Sequence, residues 1–101
     1  MYWISNNSEV RELRNVDLPG RDWVLVPERI RREFRFSSYE KAREFATRIA
    51  ELAQKEGHHP DITLSYGRVT VELTTHDEMS VTEKDTGMAR KIEELFRNMQ
   101  Q

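Results

Sequence analysis

No cysteine occurs among the 101 residues. Disulfides, thiolate metal ligands and a cysteine nucleophile are thereby excluded, and the redox compartment is left undecided. No apolar run approaches the roughly 18 residues of a membrane-spanning helix. The opening stretch, MYWISNNSEV, lacks the basic region and apolar run of a secretion signal. Positive charge is not in excess either. The 16 basic and 18 acidic residues give a formal charge of −2, which argues against a dedicated nucleic-acid binder. Internal repeats and low-complexity segments are absent. What is present, 37% hydrophobic and 34% charged residues, is the composition of one soluble globular domain over 1–101, with a cytoplasmic location as the default expectation.

Periodicity supplies the elements. Residues 1–22 form a variable N-terminal segment in which Asn7 or Ser8 caps a short helix through Asn15, before a turn at Leu18-Pro19-Gly20. Trp23 to Val26 reads as a short strand and Pro27-Glu28 as a turn. Ile30, Arg32, Phe34 and Phe36 alternate with Arg29, Arg31, Glu33 and Arg35, the period-two signature of a strand with one face inward. Arg32 breaks the inward face, and its place is expected near the strand's start. Ser37 with Glu40 fits a capping box opening a helix over 38–56. Its apolar stripe is Ala42, Phe45, Ala46, Ile49, Leu52 and Ala53, and Gly57 stops it. Two more alternating runs, Ile62 to Tyr66 and Val69 to Leu73, flank a tight turn expected at Gly67-Arg68. Ser80 or Thr82 caps a final helix with Met88, Ala89, Ile92, Leu95, Phe96 and Met99 inward. Gly87 within it, costing about 1 kcal/mol relative to alanine, suggests close packing there. The order (α)ββαββα predicts an α+β fold, a four-stranded antiparallel sheet with helices on one face.

The chain has three histidines, and all lie between Gln54 and Asp85. His58 and His59 follow Gly57 and precede Pro60, at a helix end. His76 stands where the last strand runs out. Three readings compete. Solvated loop histidines are the plainest. A zinc site needs three protein ligands converging on one point, and adjacent residues of an extended segment point apart, so His58 and His59 are poorly placed to chelate together. Acid/base chemistry needs only imidazoles at one cavity, since histidine exchanges protons near neutrality. Pro60 holds His59 extended and stiffens that corner. Asp85 fits a helix-capping position after Thr82 and is also placed to orient His76. Trp23 and Tyr66 suit the core, or the walls of a pocket for a flat heterocycle. Arg29, Arg31 and Arg35 lack interleaved aromatics and suit a solvated sheet face.

At His58-His59-Pro60, Tyr66, His76 and Asp85 the chain resembles the pterin-4a-carbinolamine dehydratases, and the likeness runs from Trp23 to Ile92. The resemblance implies the fold already read. It also implies a hydro-lyase converting 4a-hydroxytetrahydrobiopterin, or a related 4a-hydroxytetrahydropterin, to quinonoid dihydropterin, which recycles the cofactor of aromatic amino-acid hydroxylases. The pterin is then the substrate, with no metal and no organic cofactor. Carried over, His58 and His76 form the acid/base pair and His59 assists. Thr74 and Thr75 meet the pterin edge, while Trp23, Pro60, Tyr66 and Asp85 line or orient the pocket. A homodimer or homotetramer is implied, with Leu95, Phe96 and Met99 offering apolar contact. Family members also act as dimerisation cofactors or assembly factors, so a non-catalytic interaction module is the alternative. Retention of all three histidines and Asp85 favours the enzyme. One departure is Gln54, where the family usually carries a charged residue; an amide cannot stabilise an imidazolium by charge.

Overall fold

Alternation sets which side chains turn inward, and the described residues, 18–100 of a computed structural model, show the outcome. The expected helix between Asn7 and Asn15 lies outside them. Strands β1 (Val24–Val26), β2 (Arg29–Arg35), β3 (Asp61–Ser65) and β4 (Arg68–Leu73) form an antiparallel sheet in the order β1-β2-β4-β3. Helix α1 (Tyr39–Glu56) joins the two hairpins and α2 (Glu83–Met99) follows the second. In β2 and β4, Ile30 pairs with Leu73 and Phe34 with Val69. These four and Val71 are buried against the helices. From α1 come Ala42, Phe45, Ile49 and Ala53, and from α2 Met88, Ala89 and Ile92. All four phenylalanines meet in one cluster, with Phe34 centred 4.8 Å from Phe45 and 5.0 Å from Phe96. Phe36 lies 5.3 Å from Phe45. Truncating a buried ring of this kind typically costs about 3–5 kcal/mol.

Four local expectations shift. Ser38, not Ser37, caps α1, accepting the Lys41 N–H at 3.2 Å. The second hairpin turns on Tyr66-Gly67, and Arg68 already belongs to β4. Glycine is required there. Its φ is +70°, and a Cβ would stand 3.1 Å from the Phe36 carbonyl oxygen. Gly87, by contrast, is not pressed by a neighbour, since a Cβ there would meet nothing within 4 Å. Leu95, Phe96 and Met99 are partly buried against the chain's own core, in keeping with their inward placement.

The fourth concerns Arg32. It sits in mid-strand opposite Val71, on the core face, rather than near the strand's start. Its guanidinium lies 4.1 Å from the Phe34 ring centre and 5.2 Å from that of Phe96. It donates to Glu93, whose Oε2 also accepts the Trp23 indole N–H at 2.8 Å. Stacking on rings and pairing with a carboxylate are what let a guanidinium leave water. Among the described residues, no helix is long and apolar enough to cross a membrane.

Candidate functional site

Sheet register brings distant residues to one corner. Asp61 pairs with Glu72, so the segment entering β3 runs beside the segment leaving β4. Gly57, with φ +70°, ends α1 and donates its N–H to the Ala53 carbonyl at 2.9 Å. The His58 N–H reaches the same carbonyl at 3.3 Å. This wraps the chain so that the His58 ring meets the start of α2. There Thr82 is the N-cap and Asp85 closes a capping box onto the Thr82 backbone N–H.

Asp85 is fully buried. Its Oδ1 lies 2.6 Å from His58 Nε2. Its Oδ2 accepts from the Thr75 hydroxyl at 2.7 Å and from the Thr82 backbone N–H at 2.8 Å. The Thr75 and Thr82 hydroxyls are themselves 2.7 Å apart. Thr75 is held by an isolated antiparallel bridge to Ser80 across a turn over 76–79, where Met79 takes a φ of +54°. One carboxyl therefore caps α2, anchors the end of β4 and grips the imidazole delivered by α1. Such fully satisfied buried polar groups specify a unique arrangement.

The His58 ring is 17% exposed and forms part of the wall of a cleft of about 300 Å³. The other walls are Glu56 and Gly57 from the end of α1 and Glu83, Lys84, Gly87, Met88 and Lys91 from α2. That volume is at the lower end for small-molecule pockets. Glu56 Oε1 and Lys91 Nζ, 2.7 Å apart, link the two helices there. The hydrogen bond from Lys91 holds the Glu56 carboxyl below its ordinary range. Among the described residues, no group of three or more His, Asp or Glu side chains is placed to hold a metal ion.

The expected site residues divide. His58, Thr75 and Asp85 come together, and Asp85 orients His58 rather than His76. Pro60 is half-buried at the same corner. His59 is exposed, with Nε2 3.3 Å from the Gln54 side-chain oxygen, so Gln54 does reach the histidine corner. His76 is exposed in the turn one residue past Thr75 and makes no side-chain bond among the described residues. Thr74 directs its hydroxyl away, to the carbonyls of Glu28 and Ser80.

Two aromatics are elsewhere. Trp23 is buried in the core, edge-on to Phe34 with centroids 6.1 Å apart. Tyr66 is 80% exposed in the turn after β3, at the far end of that strand from His58. Five strand residues at ~3.3 Å each separate the two ends, so Tyr66 does not wall this corner within one chain. Sequence reasoning missed the hydroxyl of Thr82 as a partner of Thr75, and the cleft-lining Lys84 and Lys91. The Thr82-x-x-Asp85 spacing signalled a cap but said nothing of what lay beyond it.

Comparison with known proteins points the same way. The family model described as pterin 4 alpha carbinolamine dehydratase matches residues 5–95. A provisionally named pterin-4-alpha-carbinolamine dehydratase of Chloroflexus aurantiacus is 46% identical over 75 residues, 74% of this chain and 81% of the relative. One of Herpetosiphon aurantiacus, also provisionally named, is 42% identical over 73% of this chain and 77% of its own. A crystal structure of a transcriptional coactivator/pterin dehydratase from Brucella melitensis superposes with a TM-score of 0.70. It is 37% identical and covers 88% of this chain and 89% of that one. A pterin dehydratase-like RuBisCO assembly factor of the alpha-carboxysome shares the fold, with a TM-score of 0.61 at 24% identity over 72% of this chain and 84% of that one. With so much of its length matched, and with an imidazole–carboxyl pair at the joint between its helices, this chain belongs to the pterin 4 alpha carbinolamine dehydratase family.

Proposed function

We propose that the protein dehydrates a 4a-hydroxytetrahydropterin, 4a-hydroxytetrahydrobiopterin or a close relative, to the quinonoid dihydropterin. The observation that carries this reading is the His58–Asp85 pair, 2.6 Å apart and set in the wall of a ligand-sized cleft. In the reaction the N5–H bond breaks and its electron pair becomes the second bond between N5 and C4a. The C4a–O bond breaks, and its oxygen leaves as water after taking a proton. One group must therefore accept a proton and another donate one, and neither needs a metal or an organic cofactor. His58, backed by a carboxyl, suits the accepting role, because the imidazolium it becomes faces Asp85. His76 and His59, exposed on the segments that border the corner, supply candidates for donation to the departing hydroxyl. The product would re-enter the redox cycle of an aromatic amino-acid hydroxylase, with the pterin as the small-molecule partner.

General acid–base groups typically contribute about 10²–10⁴-fold to a rate. A stopped-flow assay following decay of the 4a-hydroxypterin absorbance is the direct test. His58→Ala and His76→Ala should each lower turnover by roughly 10²-fold or more. A purified protein that leaves the spontaneous dehydration rate unchanged would refute the enzyme. The second reading, a non-catalytic interaction or assembly module, is favoured by the coactivator half of the Brucella relative's name at 37% identity. It predicts no acceleration in the same assay.

A further inference from the structure

Counting protons in the Asp85 network fixes a direction that its distances alone leave open. The Thr82 backbone N–H can only donate, and it does so to Asp85 Oδ2. Thr75 Oγ1, 2.7 Å from the same oxygen, then commits its single hydroxyl proton to the carboxylate. Having no second proton, Thr75 can only accept from Thr82 Oγ1, also 2.7 Å away. Thr82 Oγ1 accepts the Lys84 N–H at 3.2 Å, and its own proton is free to go to Thr75. The bonds therefore run one way, from Thr82 to Thr75 to Asp85 Oδ2. An ionised carboxyl only accepts, and the two donors on Oδ2 fix its orientation so that Oδ1 faces His58 Nε2. The proton between them belongs to Nε2. In a neutral imidazole one nitrogen carries the proton and the other accepts. His58 Nδ1 has no bonding partner among the described residues.

We propose that Thr82 and Thr75 are positioning residues. Their hydroxyl relay holds the Asp85 carboxyl in the one orientation that keeps His58 in the Nε2–H tautomer, making Nδ1 the atom that takes the N5 proton of a pterin in the adjoining cleft. This assignment rests on the dehydratase reading for its substrate but not for its tautomer. In the step, the N5 proton moves to Nδ1 and the N5–H pair forms the bond to C4a. The hydroxyl leaves as water with a proton from an exposed imidazole, His59 or His76. The new imidazolium keeps its Nε2–H on Asp85, whose charge is in turn held by the two donors on Oδ2. Charge-assisted hydrogen bonds of this kind are roughly twice as strong as neutral ones.

The experiment is ¹⁵N NMR of histidine-labelled full-length protein at mildly alkaline pH, with the His58 signals assigned through His58→Gln. The wild type and Thr75→Ser, which keeps the hydroxyl, should show protonated Nε2 and unprotonated Nδ1. Thr75→Val, which keeps the shape and loses the relay, should show a mixture of tautomers. It should lose roughly 10-fold in kcat, the effect of one hydrogen bond to a charged group, with KM unchanged. Thr75→Ser should restore the rate. A wild type with Nδ1 protonated would overturn the proposal, as would a Thr75→Val spectrum identical to the wild type. The dehydration assay reports separately on the reaction. A locked tautomer in a protein that does not accelerate dehydration overturns the dehydratase, whereas full dehydration with Nδ1 protonated overturns only the relay.

Discussion

Two buried polar networks hang on α2, and they are built to opposite ends. Asp85 lies at the first turn and Glu93 eight residues on, about 12 Å along the axis. Each carboxyl receives a cation or imidazole from elsewhere in the chain, with one further donor on Glu93 and two on Asp85. Around Glu93 the partners can only donate, and both converge on Oε2. One is the Arg32 guanidinium, stacked on Phe34 and Phe96, and the other is the Trp23 indole. Around Asp85 one capacity is left over, the His58 ring nitrogen that no neighbour among the described residues engages, on a ring that forms part of a cleft wall. A buried charge is thus not by itself the sign of a site. An unspent donor or acceptor next to open space is.

Breaking the Glu93 network should produce the largest effect of all, and it should be one of stability. Arg32→Ala leaves Glu93 buried with only the indole as partner, and removing one member of a buried pair costs about 3–5 kcal/mol. Replacing both, as Arg32→Met with Glu93→Leu, should recover part of that loss, because the pair's desolvation cost disappears with it while the buried Trp23 indole N–H loses its acceptor. Urea melts of the two variants measure this. The dehydration rate per folded molecule should stay unchanged throughout. The Asp85 side behaves conversely. His58→Ala should lower turnover roughly 10²-fold, equivalent to about 2.7 kcal/mol of barrier, with a smaller shift in the urea midpoint than Arg32→Ala, because Thr75 and the Thr82 N–H still donate to Asp85. If His58→Ala were mainly a stability variant, or the Arg32 variants mainly catalytic ones, the contrast between the networks would fail.

The same contrast explains what could be read before the fold was known. Elements with their own period were legible: the Ala42 to Ala53 stripe appears as α1, and the alternation of Val69, Val71 and Leu73 as β4. Where two neighbouring residues offer the same chemistry, as Ser37 and Ser38 do, local pattern places the cap only to within one residue. Arg32 was misplaced because its justification, Glu93, lies 61 positions away. Thr75 and Thr82 became partners only through the sheet register and the turn bridged at Ser80. Tyr66 is placed in the pocket only by the family resemblance, and a strand leading away from His58 carries it to the other end of the sheet. Residues that act through local sequence were visible; those that act through topology were not.

Smaller substitutions sharpen the comparison at the cleft itself. Gly87 occupies a helix interior without a steric reason, since a Cβ there meets nothing within 4 Å. Gly87→Ala should therefore stabilise the fold by about 1 kcal/mol, read as a rise in the urea midpoint. The added methyl enters the space that α2 shares with His58, so KM for the pterin should rise while kcat changes little. An unchanged KM would place the ligand outside this cleft.

The smallest effect belongs to the exposed link across the same cleft. Lys91 lowers the Glu56 carboxyl from its ordinary value of 4.5. A carboxyl held down in the folded state adds stability above its unfolded-state value and loses it as pH falls through the folded-state value. Glu56→Gln should thus leave stability at acid pH nearly as it was and lower it slightly near neutrality, flattening that part of the profile. Exposed pairs of this kind contribute little and are screened by salt. The difference should shrink further in high salt, whereas the cost of Arg32→Ala should persist there. Salt thereby separates an ion pair that water reaches from one that the phenylalanines enclose.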